Sequence, residues 1–165
     1  FVVRNIAAGS IVKRLGLKEG EIFKNPLIEY YLKRDDLGDP LVNEDHIINF
    51  KWGTREELEE MQEYGLRIND FLRGLFLGIG LKLVDFKIEF GRYFSDDDDG
   101  VILLADEISP DNCRLWDIKT NNKYDKDLFR QELGGLKEAY QEVAERLKIL
   151  PEKKKYSSSK TEIVK

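Results

Sequence analysis

The chain has 165 residues, 41% hydrophobic and 36% charged, with a net charge of -5. That is enough for one domain with a real core, and the interspersed acids and bases lack the basic face of a general nucleic-acid binder. Cys113 is the one cysteine, which rules out an internal disulfide and fits a reducing, cytoplasmic setting. No apolar run approaches the ~20 residues of a membrane span.

In chain order, Phe1-Val2-Val3-Arg4 reads as a strand without an initiator Met, as expected for a piece of a longer protein. Ser10 and Gly16 bracket a short helix as predicted N-cap and C-cap. The amides at its start, with Gly9 allowing close approach and Arg4 nearby, suit an anionic group, although a capped helix beside a surface arginine explains the same residues. The run 26–34 predicts a strand ending on Lys33 and Arg34, followed by a polar loop in which Lys33 and Asp39 are site candidates or loop salt-bridge partners. Asn43-Glu44-Asp45 predicts a helix start, and His46 is assigned no chemistry.

Thr54-Arg55-Glu56-Glu57 is a capping box. Leu58, Met61, Ile68, Leu72, Leu75 and Ile79 then recur at helical spacing, with Phe71 and Phe76 widening the stripe. They predict a helix over 54–78 whose Met61 and aromatics pack on a sheet.

The next stretch, Leu83-Val84-Asp85-Phe86-Lys87-Ile88-Glu89-Phe90-Gly91, alternates. Val84, Phe86, Ile88 and Phe90 fall on one parity and Asp85, Lys87 and Glu89 on the other, the pattern of a half-buried strand. Ser95 to Gly100 is a turn signal, so 81–94 and 101–107 are expected to form an antiparallel hairpin that sets Glu89 opposite or diagonal to Asp106. Facing carboxylates repel unless something positive lies between them, and Mg2+, which takes one or two carboxylates, answers the requirement. A charged row is also what an ordinary solvated face shows, and a register slip of one residue reverses the facing.

Asp106 to Asp117 places acids and Arg114 close to the hairpin's acidic end, and a helix is predicted over 136–148 with Leu136, Ala139, Tyr140, Val143 and Leu147 on one face. Residues 151–165 are expected to be a flexible tail after a single unit at 1–150. Asp97, Asp99 and Gly100 echo an EF-hand loop, but Ser95 would take its first ligand position and strands flank it. No dinucleotide-binding or Walker glycine loop occurs, and Cys113 has no adjacent histidine to activate it.

Three stretches together resemble the SAICAR synthetase (phosphoribosylaminoimidazole-succinocarboxamide synthase) family. They are Val2-Val3-Arg4-Asn5-Ile6-Ala7-Ala8-Gly9-Ser10, Leu83 to Gly91, and Asp106-Glu107-Ile108-Ser109-Pro110-Asp111 with Arg114-Leu115-Trp116-Asp117. The similarity runs through Arg130-Gln131 and the final helix. It implies an α+β second lobe of an ATP-grasp-like fold, a twisted and largely antiparallel sheet packed by helices. It also implies an ATP- and Mg2+-dependent ligase of purine biosynthesis, joining carboxyaminoimidazole ribonucleotide and L-aspartate through an acyl phosphate.

The resemblance implies that Glu89 and Asp106 hold Mg2+ against the nucleotide, with Lys87 beside them. Arg4, Ser10 and Arg114 would grip the ribonucleotide. Lys33, Asp39, Asp85 and Arg130 would line the pocket, with Lys87 and Asp85 as catalytic candidates. The turn Ser109 to Asp111 is a candidate for the aspartate. The family's first lobe, with its phosphate-covering loop and adenine segment, is absent from these residues, so the fragment alone is expected not to turn over. A homodimer is common in such a family. The run Asp96 to Asp99 is expected to be solvated and non-catalytic. The rival classes are a non-catalytic ribonucleotide-binding domain and a different ATP-dependent carboxylate ligase or kinase. Product formation lost on Glu89→Gln separates the first, and carboxylate-substrate competition the second.

Overall fold

The computed structural model describes residues 1–95, 98–125, 127–130 and 135–149, with backbone alone at Asp98, Asp99, Phe129 and Arg130. The expected tail and the first two residues of the Asp96–Asp99 run lie outside the described residues.

The central sheet holds β1 (Val2–Ile6), β2 (Ile22–Tyr31), β3 (Leu41–Val42), β4 (Leu81–Lys87) and β7 (Cys113–Asp117). Their order is β3-β2-β1-β4-β7 and every neighbouring pair is antiparallel. A separate ribbon pairs β5 (Phe90–Ser95) with β6 (Asp98–Leu104). The helices are α1 (Ser10–Leu15), α2 (Glu44–Asn49), α3 (Arg55–Gly78), α4 (Asp127–Arg130) and α5 (Leu136–Arg146). This is the expected α+β architecture. None of these helices is long and apolar enough to cross a membrane.

The expected 81–94 strand divides. Ile88 still donates its N–H to Phe1 O (2.9 Å), while the Glu89 carbonyl already accepts the Ala105 N–H (2.9 Å). Glu89 is therefore the corner at which the chain leaves the central sheet for the ribbon. Ser95 pairs with Asp98 inside the stretch read as a turn signal, and the register Phe90↔Leu104 extrapolates to Glu89 beside Ala105 and diagonal to Asp106.

The alternation also has a fault in it. Leu81 and Leu83 belong to the main core under α3, and so do Phe86 and Ile88. Val84 belongs instead to a second cluster with Ile6, Ala8 and Trp116. A register shift between Leu83 and Asp85, opposite β7, supplies the extra residue. A bulge sets two residues against one and reverses the facing of everything beyond it. Continued from Leu81 and Leu83, the alternation would have driven Asp85 into the apolar layer.

Helix α3 starts on the predicted capping box, with Thr54 and Glu57 bonding reciprocally. His46 proves to be the third residue of a second box on α2, its Nδ1 accepting the Asn43 N–H. The buried stripe of α3 is Leu58, Gly65, Asn69, Leu72 and Phe76. Contrary to expectation, Phe71 is 69% exposed and Leu75 39%. The middle of the stripe is taken by residues that apolar spacing does not find. Gly65 admits the Phe1 ring, and Asn69, fully buried, accepts the Asn5 side-chain amide at 2.8 Å. At α1 the N-cap is Gly9 rather than Ser10, which is the first helical residue, while Gly16 closes the helix in the left-handed conformation as predicted. The final helix ends at Arg146, with Ala139 and Val143 buried.

Two glycines of α3 are expected to respond oppositely to alanine. A Cβ at Gly65 would stand 2.4 Å from Phe1 Cε1, whereas Gly74 has nothing within 4 Å. Gly74→Ala is expected to stabilise by about 0.5–1 kcal/mol through helix propensity. Gly65→Ala is expected to destabilise by about 1–3 kcal/mol through overpacking. Urea unfolding of the two variants measures both signs.

Candidate active site

Three adjacent strands bring Arg4, Asp85 and Arg114 into one row. Arg4 on β1 pairs in register with Asp85 on β4, and Asp85 pairs with Arg114 on β7. Cross-strand neighbours on one face lie within reach of each other's side chains. Arg4 Nη1 donates to Asp85 Oδ2 at 2.6 Å. Arg114 Nη1 lies 3.0 and 2.9 Å from the two carboxylate oxygens. Arg4 also donates through Nε to Glu29 (2.7 Å) and through Nη2 to Ser10 Oγ (3.3 Å) and Tyr31 OH (3.4 Å). Arg114 Nε donates to Asp127 Oδ2 at 2.7 Å.

Arg4 and Asp85 are buried, and Arg114 is partly open. Burial is the largest influence on the Asp85 carboxyl and pushes its pKa up, against the downward pull of Arg114 and then Arg4. Burial alone would lower the pKa of Arg114, but Asp85 and Asp127 hold its guanidinium above the ordinary range. Asp125, whose oxygens accept the N–H groups of Leu115 and Asp127 at 2.8 Å each, is nevertheless pushed up to about 6 by burial. Cys113, 2% exposed, is pushed up to about 12, chiefly by burial and secondly by Asp85. A thiol held protonated in this way is no nucleophile at neutral pH.

The row opens into a cavity of about 450 Å³. Of the residues singled out from sequence, Arg4, Ser10, Asp39, Asp85, Lys87, Asp106 and Arg114 line it, and so does Asp111 of the candidate aspartate turn. Glu89 and Lys33 are not among its lining. They sit at the adjoining corner, where Lys33 lines a second cavity of about 230 Å³. There Lys33 pairs directly with Glu89, and Lys87 Nζ lies 3.6 Å from Glu89 and 4.0 Å from Asp39. Asp106 Oδ1 accepts the Glu107 N–H at 2.9 Å. The pKa of Lys33 is raised chiefly by its hydrogen bond to Glu89, with Asp106 adding to it. The repulsion argued from sequence is therefore already met by two ammonium groups, and it does not by itself require a metal. The Arg130 side chain lies outside the described residues.

Sequence reading missed Glu29, Tyr31, Asp125 and Asp127. The pairing Val2↔Glu29 puts Glu29 one strand away from the Arg4 side chain, a relation that follows from register and from no motif. The spacing Asp125-x-Asp127 was the available signal for the other two, since a loop aspartate often bonds backbone two residues on.

This assembly defines a class: an α+β lobe whose antiparallel sheet is packed by a long helix on one face and carries a guanidinium–carboxylate row, open to a polar cavity, on the other. The model of the SAICAR synthetase family matches residues 1–147, and the chain belongs to that family. It is 60% identical over 151 residues to the phosphoribosylaminoimidazole-succinocarboxamide synthase of Rhodospirillum centenum, an alignment covering 92% of this chain and 59% of the relative. The corresponding synthase crystal structure from Ehrlichia chaffeensis superposes with a TM-score of 0.86 at 51% identity, over 91% of this chain and 63% of that one. A SAICAR synthetase in complex with ADP gives 0.83 at 45%, over 92% and 63%. The chain thus spans about three fifths of the length of the relatives it matches.

Asp125 gives the site a signature in pH. Its folded pKa, about 6, exceeds the ordinary 3.8, so its stabilising contribution is complete below about pH 4 and is lost as pH rises through 6. The stability of the wild type relative to Asp125→Asn is expected to fall by about 2 kcal/mol between pH 4 and pH 7, at ~1.4 kcal/mol per pKa unit. Paired urea titrations across that range measure the slope, and a flat difference would contradict the burial argument.

Proposed function

We propose that this chain is the second lobe of an ATP-dependent carbon–nitrogen ligase that makes SAICAR in the cytoplasm, with residues 1–150 as one unit completed by a first lobe of the same protein. The substrates are carboxyaminoimidazole ribonucleotide, L-aspartate and ATP. The imidazole carboxylate oxygen attacks the γ-phosphorus, the bond to the β-phosphate oxygen breaks, and ADP leaves. The aspartate amine then attacks the acyl carbon, losing a proton as the carbon–oxygen bond to phosphate breaks, so that the amide and phosphate result. Such chemistry asks the protein for alignment and charge neutralisation rather than covalent participation.

The observation that carries this reading is the convergence of Arg4, Ser10, Asp39, Asp85, Lys87, Asp106 and Arg114 on one cavity, in a chain 60% identical to a named synthase. The ADP bound in a related synthetase supports ATP as the phosphoryl donor. Arg114 is assigned to the ribonucleotide, with Ser10, Lys33, Asp39 and Arg130 as further binding residues. Lys87 is assigned to the transferring phosphoryl group. Asp85, whose two oxygens are engaged by guanidinium groups, is assigned to positioning Arg4 and Arg114 rather than to touching reacting atoms. Arg4 gives every N–H to a protein acceptor, so its charge is what it offers an anion. The acidic turn at Asp111 is assigned to L-aspartate, and a homodimer is the proposed assembly.

Among the described residues no group of three acidic, histidine or cysteine side chains gathers to hold a metal unaided. Mg2+ needs only one or two carboxylates, with phosphate and water completing its shell. Glu89 and Asp106 offer that number across the base of the ribbon, where the Glu89 carbonyl accepts the N–H of Ala105, the residue before Asp106, at 2.9 Å. When bound there, Mg2+ would be held by Glu89 and Asp106 and would neutralise phosphate charge.

In the family-length protein, Glu89→Gln is expected to lower kcat by about 10²-fold or more and to raise the Mg2+ concentration needed for half-maximal rate, with SAICAR affinity retained. The 165 residues alone are expected to form no product from ATP, carboxyaminoimidazole ribonucleotide and aspartate. Unchanged turnover of the variant would overturn the metal assignment, and turnover by the short chain would overturn the division of labour between lobes.

A further inference from the structure

We propose that Gly9 and Asp127 are positioning residues for Arg114, holding its guanidinium so that the Nη2 edge meets the anionic group of the bound ribonucleotide; this rests on the assignment of Arg114 above. The two arginines of the row are not equivalent. Arg4 commits all its donors: Nε to Glu29, Nη1 to Asp85 and Ala8 O, Nη2 to Ser10 and Tyr31. Arg114 commits Nε to Asp127 and Nη1 to Asp85, and no acceptor among the described residues takes Nη2. A guanidinium with one edge unclaimed beside a polar cavity retains its capacity for a charge-assisted bond to phosphate or carboxylate.

Three constraints hold that edge in place. Asp85 fixes one side of the guanidinium and Asp127 the Nε side. The Gly9 backbone fixes the third. A Cβ built on Gly9 would lie 2.5 Å from Nη2, 2.8 Å from Cζ and 3.2 Å from Nη1, so the guanidinium occupies the volume that any other residue would fill. With two carboxylates already gripping it, the group cannot swing away without giving up one of them. Gly9 also has φ +65° and ψ -135°, a conformation that L residues rarely adopt.

Asp127 is itself tied down. Asp125 accepts the Asp127 N–H with one oxygen and the N–H of Leu115, the residue after Arg114, with the other. Arg114, Asp127, Asp125 and Leu115 form a closed circuit of hydrogen bonds and one peptide link, which fixes the direction of Nε. A displacement of about 1 Å at such a group is enough to cost an order of magnitude or more in binding or rate.

The test uses the family-length protein, with calorimetric titration of SAICAR and steady-state kinetics. Gly9→Ala, Asp127→Asn and Arg114→Lys are each expected to weaken SAICAR binding by about tenfold or more. KM for ATP should stay within about twofold, because the circuit does not reach the Glu89 corner. The decisive variant is Gly9→Ala combined with Arg114→Lys. With no guanidinium left for the methyl group to displace, it should bind SAICAR no more weakly than Arg114→Lys alone. Backbone strain at Gly9 would act equally in both backgrounds, so additive losses would overturn the role assigned to Gly9. Asp127→Asn leaves the backbone unstrained, and wild-type affinity there would overturn the role of Asp127 even if Gly9→Ala does not fold. Wild-type SAICAR affinity in Arg114→Lys would instead overturn the functional reading of Arg114, and the proposal with it.

Discussion

A single carboxylate shared by two guanidinium groups is the constraint around which this molecule is arranged. Asp85 stands between Arg4 and Arg114 on three neighbouring strands, at 2.6 to 3.0 Å from each. Placing three ions in a region as buried as this is costly, and such a group is no source of stability compared with apolar residues of the same shape. Its effect is geometric. The register that pairs β1 with β4 and β4 with β7 is the register that satisfies the charges, and a slip of β4 by one residue would leave Asp85 without either arginine. The outlying acids Glu29 and Asp127 take the remaining sides of the two arginines. Together these contacts produce a rigid, nearly neutral floor rather than a strongly positive one.

Two irregularities in one strand make the arrangement possible. The bulge at Val84 turns Asp85 away from the apolar layer beneath α3, and the break after Lys87 turns Glu89 into the corner between sheet and ribbon. Between them the strand presents Asp85 in the cavity, Lys87 at its rim and Glu89 at the edge, in a stretch of five residues. Guanidinium donors and carboxylates that attract cations thus lie a few residues apart. The apolar layer on the other side, from Phe86 and Ile88 to Leu72 and Phe76, holds the strand still.

Much of this is legible in the chain itself. The capping box at Thr54, the antiparallel pairing on either side of the Ser95–Gly100 stretch and the acid–base alternation from Asp85 to Glu89 all follow from local signals. What escapes is whatever depends on register or on a residue of unremarkable type. The bulge leaves no mark because Leu83 and Val84 are both aliphatic, so the parity change is invisible. Gly65 and Asn69 sit in the middle of a buried helix stripe because of what faces them, a phenylalanine ring and another asparagine. Phe71, apolar and correctly spaced, points to solvent. Glu29 joins the site through a strand pairing that no motif encodes, and the short Asp125-x-Asp127 spacing that brings in Asp127 is shared with many ordinary turns. Nor does any local signal show that the ammonium of Lys33, distant in sequence, pairs with Glu89 at the corner.

Asp85, as the shared counter-ion of the two arginines, sets the geometry of the site. The most direct measurement is the unfolding free energy of Asp85→Asn at neutral pH, from urea titration monitored by tryptophan fluorescence. Removing one partner of a buried ion group leaves its counterparts uncompensated, so a loss of about 3–5 kcal/mol is predicted. A loss below about 1 kcal/mol, the range of an ordinary surface substitution, would contradict the claim that this carboxylate sets the geometry of the site.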